Sequence, residues 1–199
     1  MIDAQALRAL YPAPRERALR KQLSQLDAHC LRFIALSPFV VLASAGEHGD
    51  LDASPRGGEP GFVHAPDART LLLPDAPGNN RLDTLVNITQ TGRLGLLFMV
   101  PGVDETLRVN GRAGLSDDPA LLARFAGVSR PPRLVITVAV EQAYLHCAKA
   151  LMRSSLWAPQ SRVERSMLPT MGRMIADQIG DAAEPESQES MLARYAQDL

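Results

Sequence analysis

Asn79, Asn80 and Arg81 stand directly after a turn-rich loop, Asp75-Ala76-Pro77-Gly78. That loop follows a short apolar run, Thr70-Leu71-Leu72-Leu73-Pro74. A strand that ends in a Pro/Gly turn and feeds a helix can gather backbone N–H groups around an anion. Asn79 suits the N-cap, where its side-chain oxygen accepts from the first free N–H groups. Arg81 offers a forked, permanently charged donor set that matches a phosphate. The same residues would serve equally as plain capping, because short motifs of this kind recur by chance. No P-loop and no dinucleotide fingerprint accompanies them.

Other side chains with chemical potential are spread along the chain. Ser54 and Arg56 lie two apart, so a strand would put them on one face, lining a cleft or meeting solvent. Thr106 and Arg108 share a face of a later strand in the same way, and Arg108 is either an anion ligand or a surface arginine. Lys149 and Arg153 are four apart and share a helix face. Trp157 is the only tryptophan and suits an anchor in a subunit interface. His29, His48, His64 and His146 show no metal spacing, and no nucleophile elbow or HExxH occurs.

The elements that must hold these residues follow from periodicity. Leu7, Leu10, Tyr11, Leu19, Leu23, Leu26, Leu31 and Ile34 recur at helical spacing, and Pro12 and Pro14 split the segment into two helices. From residue 39 the pattern becomes strand-like, with strands expected at 39–44, 51–55, 61–64, 69–74, 93–100, 105–116 and 134–145. Helices are expected near 80–90 and 118–126, the second opened by Asp118-Pro119. Beyond Pro159 the chain turns helical, with Met167, Met171, Met174, Ile175 and Ile179 on one face. Many short strands with few helices between them argue for a mainly β, α+β antiparallel barrel rather than a βαβ sheet. The expected organisation is a helical segment at 1–36, a barrel domain at 37–158 and a helical extension at 159–199.

Composition sets the class. The chain has 199 residues, 46% hydrophobic and 22% charged, which is ordinary for a globular protein. A net charge of −1 gives no field to draw nucleic acid, so no nucleic-acid partner is expected. Cys30 and Cys147 make no disulfide framework and are expected to be two buried thiols. The N-terminus lacks the pattern of a signal peptide and the apolar runs are too short to span a bilayer, so a cytoplasmic protein without a membrane partner is expected.

One resemblance joins these pieces. Ser54-Pro55-Arg56-Gly57, Pro60-Gly61-Phe62-Val63, Leu72-Leu73-Pro74-Asp75 and Pro77-Gly78-Asn79-Asn80-Arg81-Leu82-Asp83-Thr84 stand in order. Gly95-Leu96-Leu97-Phe98, Glu105-Thr106-Leu107-Arg108-Val109-Asn110-Gly111 and Arg153-Ser154-Ser155-Leu156-Trp157 follow. The ordered set resembles the FMN-dependent flavoproteins related to pyridoxamine 5′-phosphate oxidase. That resemblance implies a six-stranded split β-barrel with flanking helices, a homodimer, and FMN held between subunits. It implies cofactor contacts from Ser54, Pro55, Arg56, Leu73, Pro74, Asp75, Asn79, Asn80, Arg81, Thr106, Arg108, Lys149, Arg153 and Trp157. Trp157 would then stack near the flavin of the other subunit. The implied activity is an FMN-dependent oxidoreductase acting on a small molecule, with no single acid–base catalyst evident. The alternative is a non-catalytic binder of flavin, of the deazaflavin F420 or of haem. The chain departs from the family pattern at Ala76, where relatives often carry arginine, and at Gly58, where they carry an acid.

Overall fold

Strands β1 (Phe39–Ala45) and β2 (Leu51–Gly57) form a hairpin closed by a turn in which the Gly46 N–H donates to the Asp50 carbonyl at 2.8 Å. Gly49 takes φ +86° in this turn, a conformation that favours glycine. The computed structural model describes residues 1–76, 78–128 and 130–197, and Pro77 of the loop singled out above lies outside the described residues. The remaining strands are β3 (His64–Asp67), β4 (Thr70–Pro74), β5 (Arg93–Met99), β6 (Thr106–Ser116) and β7 (Val135–His146). Every pairing is antiparallel, in the order β2-β1-β5-β6-β7-β4-β3. The sheet therefore has seven strands, one more than the resemblance implies. The strand expected at 61–64 begins only at His64, because Gly61 at φ +85° keeps the preceding residues in a turn.

Alternation along the strands sends one set of side chains into a single core. Val40, Leu42, Leu94, Leu96, Phe98, Leu107, Val109, Leu71, Leu73, Ile136 and Val138 are all buried there. They come from both halves of the sheet, so the sheet curls around them as an open barrel. β6 and β7 pair over their whole lengths, with one irregularity beside Gly111. Gln142 faces Asn110 and Val140 faces Gly111, which leaves Glu141 as the extra residue of a bulge. A Cβ on Gly111 would lie 2.2 Å from the Ala139 carbonyl oxygen, so only glycine permits this close pairing.

The opposite face of the sheet is laid out in rows. Val41, Leu97, Arg108 and Tyr144 stand side by side, and Ala43, Gly95, Asn110 and Gln142 form the next row. Its β1–β5 half is apolar, while its β6–β7 half is polar.

The helices of the first segment are three rather than two: α1 (Ala4–Ala9), α2 (Glu16–Arg20) and α3 (Ala28–Leu36). Asp27 caps α3 by accepting from the Cys30 N–H at 2.8 Å, and α3 buries Cys30 and Ile34. Leu23 pairs with Ala143 and so occupies the edge of β7 beyond the reach of β4. α4 (Asp83–Thr91) packs Leu85 and Ile88 into the core. α5 (Pro119–Leu122) starts at Asp118, whose carboxylate accepts from the Ala120 N–H at 2.8 Å. α6 (Lys149–Ser154), α7 (Met171–Ile179) and α8 (Gln188–Tyr195) complete the chain. The face of α7 that carries Met171, Ile175 and Ile179 is exposed. Cys30 is buried as expected, but Cys147 is exposed, because it follows the end of β7 where the chain leaves the barrel. Among the described residues no helix is long and apolar enough to cross a membrane, and no group of His, Cys, Asp and Glu is placed to hold a metal ion.

Candidate functional site

A cleft of about 760 Å³ opens between β2 and the segment that joins β4 to α4. β2 is an edge strand and β4 is next to the opposite edge, so the curl of the sheet brings its two ends to one cavity. Ser54, Pro55, Arg56, Pro74, Asp75, Asn79, Asn80 and Arg81 all line it. These expected positions are thus gathered in one place by residues distant in sequence.

The β2 wall is set by strand alternation. Asp52, Ser54 and Arg56 are half-buried, while the residues between them are exposed. Asp52 is the hub of a polar network: it accepts from the Ser54 hydroxyl at 2.8 Å, from the Ser44 hydroxyl at 3.4 Å and from the Thr84 hydroxyl. The Asn87 amide donates to the Ser44 hydroxyl at 3.0 Å, so two residues of α4 are bound to the hairpin. Burial pushes the Asp52 carboxyl up, but the hydrogen bonds from Thr84, Ser54 and Ser44 and the charge of Arg56 outweigh it and hold the carboxyl below its ordinary value. Asp75, at the far wall, is raised by burial, with Arg56 opposing. Arg56 therefore acts on one carboxylate from each wall.

The helix entrance differs from expectation. Asn79 does not cap α4; its side-chain oxygen accepts from the Arg81 N–H at 3.1 Å and closes a turn two residues earlier. The N-cap position is Leu82, in the left-handed region at φ 61°, with no side-chain cap. Two left-handed residues, Asn80 and Leu82, delay the helix until Asp83. The first N–H groups of α4 consequently have no capping side chain, and Thr84 and Leu85 of this first turn line the cleft. Arg81 is exposed and its Nε donates to Asp83 at 2.8 Å.

Sequence reasoning missed Arg130 and Arg133, which also line the cleft. They flank Pro131-Pro132 just before β7, and this basic pair across a double proline was the available signal. Arg133 is exposed and has no ion-pair partner among the described residues. Asp52 and Thr84 were missed too, because a strand acid and a helix threonine carry no motif. At Gly58 a Cβ would stand 2.8 Å from the Phe62 side chain, and Phe62 itself lines the cleft.

The other expected positions lie elsewhere. Leu73 points into the core. Thr106 is buried on β6, and Arg108 donates to the Tyr144 hydroxyl at 3.2 Å on the outer face. Lys149 and Arg153 lie on α6, and the Trp157 indole N–H donates to the Val103 carbonyl at 2.9 Å, fastening it to the β5–β6 turn. None of these six lines the cleft of its own chain.

Comparison with known proteins places this geometry in context. The family model for pyridoxamine 5′-phosphate oxidase matches residues 26–147, which span all seven strands. A search of curated proteins finds no match. Among solved structures, HupZ of Group A Streptococcus is 16% identical, with a TM-score of 0.51 over 60% of this chain and 93% of that one. A histidine-to-alanine form of HupZ gives 17% identity and a TM-score of 0.51 over 60% of this chain and 98% of that one. A candidate pyridoxamine 5′-phosphate oxidase of Lactobacillus delbrueckii is 19% identical, with a TM-score of 0.50 over 62% of this chain and 98% of that one. At these identities the structures share the fold, and the family match rests on the sequence of the barrel itself: the chain belongs to the pyridoxamine 5′-phosphate oxidase family.

Proposed function

We propose that the cleft holds FMN and that the protein is an FMN-dependent oxidoreductase acting on a small molecule. The observation that carries this reading is the composition of the cleft: the uncapped first turn of α4 beside Arg81, Arg130 and Arg133, opposite the polar face of β2. Free helix N–H groups and guanidinium groups are the donors a phosphate monoester needs. The arginine that relatives carry at the position of Ala76 is absent, and Arg130 and Arg133 bring positive charge to the same cavity. A volume of about 760 Å³ is in the range of cofactor pockets. When bound, the flavin supplies the hydride or electron transfer. The chain's own contribution is to position it: the β2 backbone and Arg56 along the ring system, the first turn of α4 and the arginines at the phosphate.

The working unit in this proposal is a homodimer. On the outer face of β1 and β5, Phe39 and Ala43 are exposed and Val41, Leu97 and Met99 half-buried, and contiguous apolar surface of this kind marks an interface. A second copy would bring five of the six expected positions that lie outside the cleft, Thr106, Arg108, Lys149, Arg153 and Trp157, toward the flavin of its partner.

The test is the absorbance spectrum of the purified protein alone and mixed with FMN, with calorimetry for stoichiometry. One FMN per subunit, weaker binding of riboflavin, and reduction of the bound flavin by a reduced nicotinamide are expected. A haem or deazaflavin spectrum in place of FMN would reassign the cofactor, and absence of any binding at micromolar concentration would overturn the reading.

A further inference from the structure

We propose that Lys21, Arg108, Tyr144 and His146 form a second binding site, which takes the carboxylate or phosphate group of a small-molecule ligand on the outer face of β6 and β7. Arg108 and Tyr144 are direct cross-strand partners, and His146 stands opposite Thr106 in the next row. The Arg108 guanidinium lies 5.7 Å from the centre of the Tyr144 ring and the Lys21 ammonium lies 5.6 Å from it. Each cation gains from the ring, but two cations over one ring repel each other. Among the described residues no carboxylate forms an ion pair with either.

The donors in this cluster outnumber its acceptors. Lys21 donates to the Leu145 carbonyl at 2.6 Å and has further N–H groups to offer. Arg108 donates one N–H to the Tyr144 hydroxyl and has four more. The His146 ring is 5.0 Å from that of Tyr144, and its Nε2 is shut from solvent without a hydrogen-bond partner. A buried ring nitrogen without a partner is uncommon in a folded protein. Three elements of the chain thus converge three cationic or donor-capable side chains with no acid among them, and an oxyanion supplies what is lacking. Burial, then Arg108, then Lys21 hold the His146 imidazole below its ordinary value. A bound anion would offset the two cations and reverse that trend. No residue of this cluster lines the cleft of its own chain; Arg108 is also among the positions that the proposed homodimer carries toward the partner's flavin, and in that respect the inference rests on that reading.

The test is NMR of the histidine rings in the full-length dimer or monomer as purified, with His146 assigned by His146→Gln. Inorganic phosphate and acetate are titrated separately, with sodium chloride at matched ionic strength as control. Saturable movement of the His146 ring signals, with a rise of about one pH unit in their midpoint, is expected with phosphate or acetate. The stronger of the two identifies the group as phosphate or carboxylate. Arg108→Gln and Lys21→Gln should each weaken the response roughly fivefold, while Arg133→Ala, in the cleft, should leave it unchanged. Movement reproduced by chloride would mean an adventitious ion only and overturn the proposal. An equal response in Arg108→Gln would overturn it too, as would loss of the dimer in that variant without any phosphate or acetate response.

Discussion

Thr84, in the first turn of α4, donates its hydroxyl to the carboxylate of Asp52 on β2, and this bond joins the two walls of the cleft. Thr84 is almost fully buried and Asp52 half-buried. The walls are therefore held in register by the protein itself. Asp52→Ala would leave the hydroxyls of Ser44 and Thr84 without their acceptor and should cost about 2 kcal/mol of stability in urea unfolding.

The same carboxylate makes a prediction for acid. Asp52 is held below its ordinary value of 3.8, so its contribution is present in full above that pH and is lost as pH falls through the lower folded value. Asp52→Asn should flatten the acid limb of the stability curve below about pH 4. An unchanged acid limb would place the decisive carboxylate elsewhere.

Arg133 and Arg81 approach the cleft from different segments, and only Arg81 already has an acid partner in Asp83. Arg133→Ala should therefore weaken FMN roughly tenfold and Arg81→Ala by less, since Asp83 competes for that guanidinium. Riboflavin affinity should barely change in either variant. Calorimetric titration of both ligands measures the difference.

Leu97 is half-buried on the outer face, in one row with Val41 and Arg108. Leu97→Glu should leave the barrel folded and shift the protein to monomer in sedimentation. In the proposed dimer, FMN affinity falls with it. Trp157→Ala, which removes the aromatic fastened to Val103, should reduce dimer and flavin binding by on the order of 2 kcal/mol each.

The two thiols should react differently. Burial pushes the Cys30 thiol up to about 11, whereas Cys147 is exposed. A thiol reagent at neutral pH should label one cysteine in the native protein and both after unfolding. Fast native labelling of Cys30 would mean that α3 opens readily from the barrel.

What the sequence determined by itself was local. Short apolar runs in 39–44, 93–100 and 134–145 mark the strands because they are strand-sized and rich in β-forming residues, and Asp118-Pro119 marks a helix start because its chemistry is contained in two residues. The ordered motifs from Ser54 to Trp157 pointed to the family, and the family match over 26–147 agrees. The tertiary structure decided what depends on residues far apart in the chain. Asn79 looks like a cap because capping residues favour that position, yet Asn80 and Leu82 in left-handed conformations move the helix start past it. Arg130 and Arg133 join Arg56 and Arg81 only because the sheet curls until its two ends share one cavity. The charge pattern of a cleft is a property of that closure, and no window of sequence contains it.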